Sequence, residues 1–90
     1  MAFRDNPADK RFELDVDGVV VFAEYREKSG MRALTHFETP EAARGKGAAG
    51  KLMAEILADA RGRGEKLKAL CPYAEDYLGK HPESGDVLSL

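Results

Sequence analysis

Arg44-Gly45-Lys46-Gly47-Ala48-Ala49-Gly50-Lys51 stands where the chain changes texture, and its reading decides the fold. After it, Ala49, Leu52, Met53, Ile56, Leu57 and Ala60 recur at the i, i+3, i+4, i+7 spacing of an amphipathic helix, predicted from Gly47 to Ala60. Arg61-Gly62-Arg63-Gly64 closes it with basic groups in the last turn and glycine beyond. Before it, Phe12, Leu14 and Val16 alternate with Glu13, Asp15 and Asp17, as in a half-buried strand. Asp17-Gly18 is a two-residue hairpin signal, because a type I′ turn needs positive φ at both central positions. The β-branched and aromatic run Val19 to Arg26 is the return strand, and Ser29-Gly30 turns it into a third strand, Met31 to Glu38.

Downstream, Leu67 to Cys71 reads as a short strand stopped by Pro72, with a second helix through Tyr73, Ala74, Tyr77 and Leu78. His81 to Leu90 reads as a terminal loop, and residues 1–10, polar and interrupted by Asn6-Pro7, as a loose end before a single domain over 11–90. The expected order is β-β-β-α-β-α, an α/β (α+β) arrangement with a mixed, mainly antiparallel sheet of about four strands. Passing from the third strand to the fourth through a helix is a crossover, so those two strands should run parallel.

Composition narrows the function classes. The chain has 90 residues, 43% hydrophobic and 33% charged, enough for one small domain with a thin core. No apolar run approaches the ~20 residues of a membrane span. The opening MAFRDNPADKRF carries charges and no apolar stretch, so a cytoplasmic location is expected. A formal net charge of −2 disfavours non-specific nucleic-acid binding. One cysteine, Cys71, and two histidines, His36 and His81, lie too far apart in sequence for metal-ligand spacing, so no metal is expected.

The glycine-rich stretch carries the chemistry. Small side chains let a ligand approach the backbone, and the first N–H groups of a helix lack intrahelical partners at the positive end of its dipole. Arg44, Lys46 and Lys51 add positive charge, so a phosphate or diphosphate is the natural occupant; the bland alternative is a solvated loop. Gly45-x-Gly47-x-x-Gly50 matches a dinucleotide-binding pattern, yet that fold needs a buried parallel strand directly before the loop. Gly45-x-x-x-x-Gly50-Lys51 begins a Walker A motif, but Leu52 replaces the magnesium-binding hydroxyl and too little chain follows for an NTPase sheet. Both fail on architecture.

Arg44-x-x-Gly47-x-Ala49 resembles the R/Q-x-x-G-x-G/A loop of the GNAT (Gcn5-related) N-acetyltransferase superfamily. Within it, the chain resembles more closely one compact subfamily, the YjdJ-like minimal acetyltransferases. The shared elements are His36-Phe37-Glu38-Thr39-Pro40, the loop through Leu52, Ala60-Arg61, Leu70-Cys71-Pro72-Tyr73 with Tyr77, and His81-Pro82-Glu83 with Asp86 and Leu88. They span about Arg11 to Leu88. Thr39 stands where an apolar residue is usual, and Ala69 where proline is common.

The resemblance implies a truncated GNAT-like fold in which the strands Met31–Glu38 and Leu67–Cys71 splay apart and acetyl-CoA enters between them. Its pantetheine arm would bond the backbone around Phe37, Glu38 and Thr39. Its diphosphate would rest on Arg44, Gly45, Lys46, Gly47, Ala48, Ala49, Gly50 and Lys51. The activity implied is direct attack of an amine, on a small molecule or a protein, on the thioester. For proton handling the resemblance points to Cys71 or Tyr77, and the titration range of His36 suits the same task. Each has a plainer reading: Cys71 as a small buried residue, His36 as a packed strand residue, Tyr73 and Tyr77 as rings on the sheet edge, His81 as a loop anchor. Competing functions are a non-catalytic acyl-CoA-binding or interaction module and a nucleotide-phosphate binder.

Overall fold

The alternating segment forms strand β2 (Arg11–Val16) in the computed structural model, which describes residues 2–45 and 47–87. β2 turns through Asp17 (φ 53°) and Gly18 (φ 81°) into β3 (Val19–Lys28), and Ser29-Gly30 leads into β4 (Met31–Glu38). Both hairpins stand where the turn residues put them. Helix α1 (Ala48–Arg63) carries the chain across to β5 (Leu67–Ala69), which pairs parallel to β4 with Arg32 opposite Leu67. Helix α2 (Pro72–Lys80) and a 3-10 turn (Pro82–Val87) follow.

Residues 2–6 differ from expectation. Ala2–Asn6 is strand β1, antiparallel to β2, so the sheet has five strands in the order β1-β2-β3-β4-β5. Its stabilising contacts are non-local. Phe3 stacks on Phe12 with ring centroids 5.8 Å apart, and Arg4 Nε lies 2.6 Å from Glu13 Oε1. Two adjacent apolar residues, Ala2 and Phe3, make no periodic signal, so the strand is decided by its neighbour rather than by its own pattern.

Three smaller differences concern ends. α1 continues to Arg63 and stops at Gly64, whose N–H bonds back to Ala60 and Arg61. β5 is shorter than expected, although Leu70 N still donates to Leu34 O at 2.9 Å. Cys71, expected to close the strand, is instead the N-cap of α2, its Sγ accepting from Ala74 N at 3.4 Å. The β3–β4 ladder carries one irregularity: Tyr25 faces Leu34 but Glu24 faces His36, leaving Thr35 as a bulge.

Cross-strand partners share a face of the sheet. Phe12, Leu14, Val21, Ala23, Tyr25 and Leu34 form the inner face, and α1 buries Leu52, Met53, Ile56, Leu57 and Ala60 in the same core. Ala74 and Leu78 of α2 join that core, so both helices lie on one side. The other side carries Arg4, Arg11, Glu24, His36 and Lys68. Alternation puts Glu13 on that side, yet it is only 3% exposed. Burial pushes its carboxyl up, but hydrogen bonds from Arg11 Nε (2.6 Å), Asn6 Nδ2 (3.1 Å) and Arg4 outweigh that and hold it below the usual value.

At the inner face, Tyr25 donates to Asp5 Oδ1 at 2.6 Å, and Arg32 lies 2.9 Å from Asp5 while stacking over the Tyr25 and Phe12 rings. Burial first, and then the Asp5 carboxylate, raise the Tyr25 phenol from 10.0 to about 12. Above pH 10 the unfolded chain loses this proton while the native chain keeps it. Stability contributed by Tyr25 is therefore complete below pH 10 and is lost as pH climbs to about 12, by up to roughly 2 kcal/mol. Urea denaturation from pH 9 to 12 should show that loss in the wild type and a flatter profile in Tyr25→Phe. Equal slopes would refute the assignment.

Candidate functional site

β4 and β5 stay paired only from Arg32 to Leu34, with the Leu70 bond as the last rung. β4 then runs on to Glu38, while the segment after β5 turns at Cys71 into α2. Beyond Leu34, no strand among the described residues pairs with that edge of β4. The result is a V whose apex lies at Leu34 and Leu70 and whose mouth meets the glycine-rich loop.

The loop is held from beneath. A 3-10 turn (Glu41–Ala43) follows Pro40, and Ala43 and Ala48 are buried in the core at its two ends. Arg44 Nε donates to Thr39 O at 3.1 Å. Gly47 caps α1 with φ 68°, a left-handed conformation that glycine adopts without penalty, and it offers no side-chain acceptor. The first helical bond runs from Lys51 N to Gly47 O at 3.1 Å. The N–H groups of Ala48, Ala49 and Gly50 therefore have no helical acceptor. They border a cavity of about 270 Å³ lined by Thr39, Ala43, Arg44, Gly45, Gly47, Ala48, Ala49, Gly50 and Tyr73.

Seven of the residues singled out in the sequence for the cofactor thus converge on one hollow. Phe37 stands beside it, its ring 4.9 Å from that of Tyr73. Two side chains do not converge. Glu38 lies on the other face with His36, and Lys51 lines a separate hollow with Leu14, Ala54 and Glu55. Lys46 is outside the described residues. A larger hollow of about 540 Å³, at Ala8–Lys10 and Glu24–Glu27, is polar and remote from any helix start.

Tyr73 rather than Tyr77 reaches the cavity. A Cβ placed on Gly50 would lie 3.9 Å from Tyr73 Oη, so glycine leaves open the space beneath that hydroxyl. The signal available was Pro72, which fixes the start of α2 and so puts Tyr73 in its first turn. Burial foremost, then the charges of Tyr77, Asp76 and Cys71, raise the Tyr73 phenol above its ordinary value. Tyr77 sits one turn on, 6.4 Å from the Tyr73 ring and stacked on His81 at 4.0 Å. His81 Nδ1 lies 2.8 Å from Tyr77 O, a bond that leaves Nδ1–H as the donor and anchors the loop.

Cys71 is 5% exposed and follows Leu70 at the apex of the V. His36 is exposed, with Nε2 3.3 Å from Glu38 Oε1, on the face away from Phe37. Among the described residues no three His, Cys, Asp or Glu side chains gather as a metal site.

The arrangement is a row of helix-start N–H donors opening onto an unpaired strand edge, with Cys71 just past the apex. The family model for GCN5-related N-acetyltransferases matches residues 11–87. Among solved structures, a GCN5-like protein from Staphylococcus aureus, determined in solution by NMR, superposes with a TM-score of 0.67 at 20% identity, covering 98% of this chain and 87% of that one. At that identity the likeness speaks to fold. The search of curated proteins returned no match.

Proposed function

Because the chain belongs to the GCN5-related N-acetyltransferase family, we propose that it transfers the acetyl group of acetyl-CoA to a primary amine. The observation that carries this reading is the row of free N–H groups at Ala48, Ala49 and Gly50, stripped of side chains and set at the mouth of the β4–β5 V. Those donors suit a diphosphate, and Arg44 adds a positive charge beside them. The unpaired edge of β4 around Phe37, Glu38 and Thr39 suits an arm rich in amide groups, which it would bond as an added strand. The residues fit acetyl-CoA, which supplies an acetyl group already activated as a thioester.

For proton handling, Cys71 follows the apex, where a thiol can give a proton to a departing thiolate; Tyr77, the alternative, stacks on His81 one turn beyond the cavity. His36, braced by Glu38, can take the proton that an attacking amine must lose. Calorimetry should show binding of coenzyme A and none of ATP, and acetyl-CoA with a panel of amines should release free thiol. Cys71→Ala and His36→Gln should each slow release by about a hundredfold if the residue handles a proton. A wild-type rate removes that residue from the mechanism.

One observation favours a second reading, a non-catalytic acyl-CoA-binding module: Cys71 Sγ is already engaged by Ala74 N as a helix cap. Tight coenzyme A binding without thiol release for any amine would select it. Tight ATP binding without coenzyme A binding would reject both in favour of a nucleotide-phosphate site.

A further inference from the structure

Leu70 is the one large hydrophobic side chain among the described residues that is left exposed, at 49%. Its position makes that informative. Along β5, Leu67 is buried, Lys68 exposed and Ala69 packed against the core, so alternation sends Leu70 to the face without helices. Its N–H closes the last rung to β4, and Cys71 follows it directly. Across the V, His36 and Glu38 emerge on the same face, because His36 pairs with Glu24 while Phe37 pairs with Ala23 of the inner face. The glycine loop and Tyr73 occupy the opposite side of the gap.

We infer that Leu70, exposed on the helix-free face at the apex of the V, selects acceptors carrying an apolar group next to the amine. The inference rests on the acetyltransferase reading. An arm held along β4 from Thr39 inwards ends at the apex, between Leu70 and His36. An amine arriving there from the outer face meets the His36–Glu38 pair on one side and the Leu70 side chain on the other. The carboxylates of Glu38 and Glu24 favour a cationic ammonium, while Leu70 rewards an aliphatic or aromatic substituent. Lys68, exposed on the same face, disfavours a second positive charge on the acceptor.

The test compares kcat/KM of the full chain for isopentylamine and 2-phenylethylamine with that for methylamine, in wild type, Leu70→Ser and Leu70→Met, with coenzyme A affinity measured for each. The wild type should prefer the apolar amines. Leu70→Ser should reduce the apolar-to-methylamine ratio by about tenfold, the scale of a lost hydrophobic contact in a substrate pocket, and Leu70→Met should keep it. Coenzyme A affinity should be equal in all three. A wild type with no preference, or a ratio unaffected by Leu70→Ser, overturns the inference while leaving acetyl transfer intact. No thiol release by the wild type with any amine overturns the acetyltransferase reading, and this inference with it.

Discussion

Replacing Ala49 by glutamate is expected to weaken coenzyme A binding by about a hundredfold while leaving the fold as stable as before, or slightly more so. The two effects have opposite signs for one reason. Ala49 is in the first turn of α1, which holds no acidic residue, and its N–H is one of three without a helical acceptor. A carboxylate there complements the helix dipole, a gain of about 0.3–1 kcal/mol. The same carboxylate repels a diphosphate: two unit charges about 6 Å apart at an effective dielectric of about 20 interact by nearly 3 kcal/mol, or about two powers of ten in affinity. Thermal melting and calorimetry on one sample measure both signs. Ala58→Glu, on the exposed side of the same helix, is the control and should leave binding alone. If Ala49→Glu binds coenzyme A as tightly as the wild type, the diphosphate does not sit on these amides.

Ile56→Ala should cost about 3–4 kcal/mol and lower the melting temperature by roughly 15–25 °C. Ile56 is fully buried at the centre of α1, in one cluster with Leu14, Val21 and Leu34 of the sheet. A sheet fixed by hydrogen bonds cannot sag to fill the hole, so the cavity cost adds to the lost transfer energy. A domain of this length holds only about 5–13 kcal/mol in total, so the variant loses a large share of it. Saturating coenzyme A should restore part of the loss, about 2.7 kcal/mol at a hundred times its Kd. Glu55→Ala, exposed on the same helix, should change stability by less than about 0.5 kcal/mol. A melting temperature unmoved by Ile56→Ala would contradict the packing described.

What could be read without coordinates was whatever is fixed locally. Asp17-Gly18 and Ser29-Gly30 determine their turns through backbone preference, and the spacing of Leu52, Met53, Ile56, Leu57 and Ala60 marks the buried stripe of α1. The parallel pairing of β4 and β5 followed from the helix between them. The glycine loop could be read as the start of α1 because a helix cap is built from contiguous residues. Non-local features could not be read. β1 exists because Phe3 finds Phe12 and Arg4 finds Glu13, and Glu13 is buried because three donors from two strands close over it. Tyr73 reaches Gly50 across 23 residues of chain. Leu70 looks like any strand leucine until β5 proves to be an edge.

The bulge at Thr35 has a consequence for the V, although its hydroxyl only reaches back to Glu24 O at 3.3 Å. It adds one residue to β4 at the rung where β5 lets go, and such an insertion bends and over-twists its strand. β5 therefore cannot zip onward along its neighbour. A straightened β4 would let the two strands seal side by side, trading the gap that the proposed function assigns to an acyl carrier for a longer ladder.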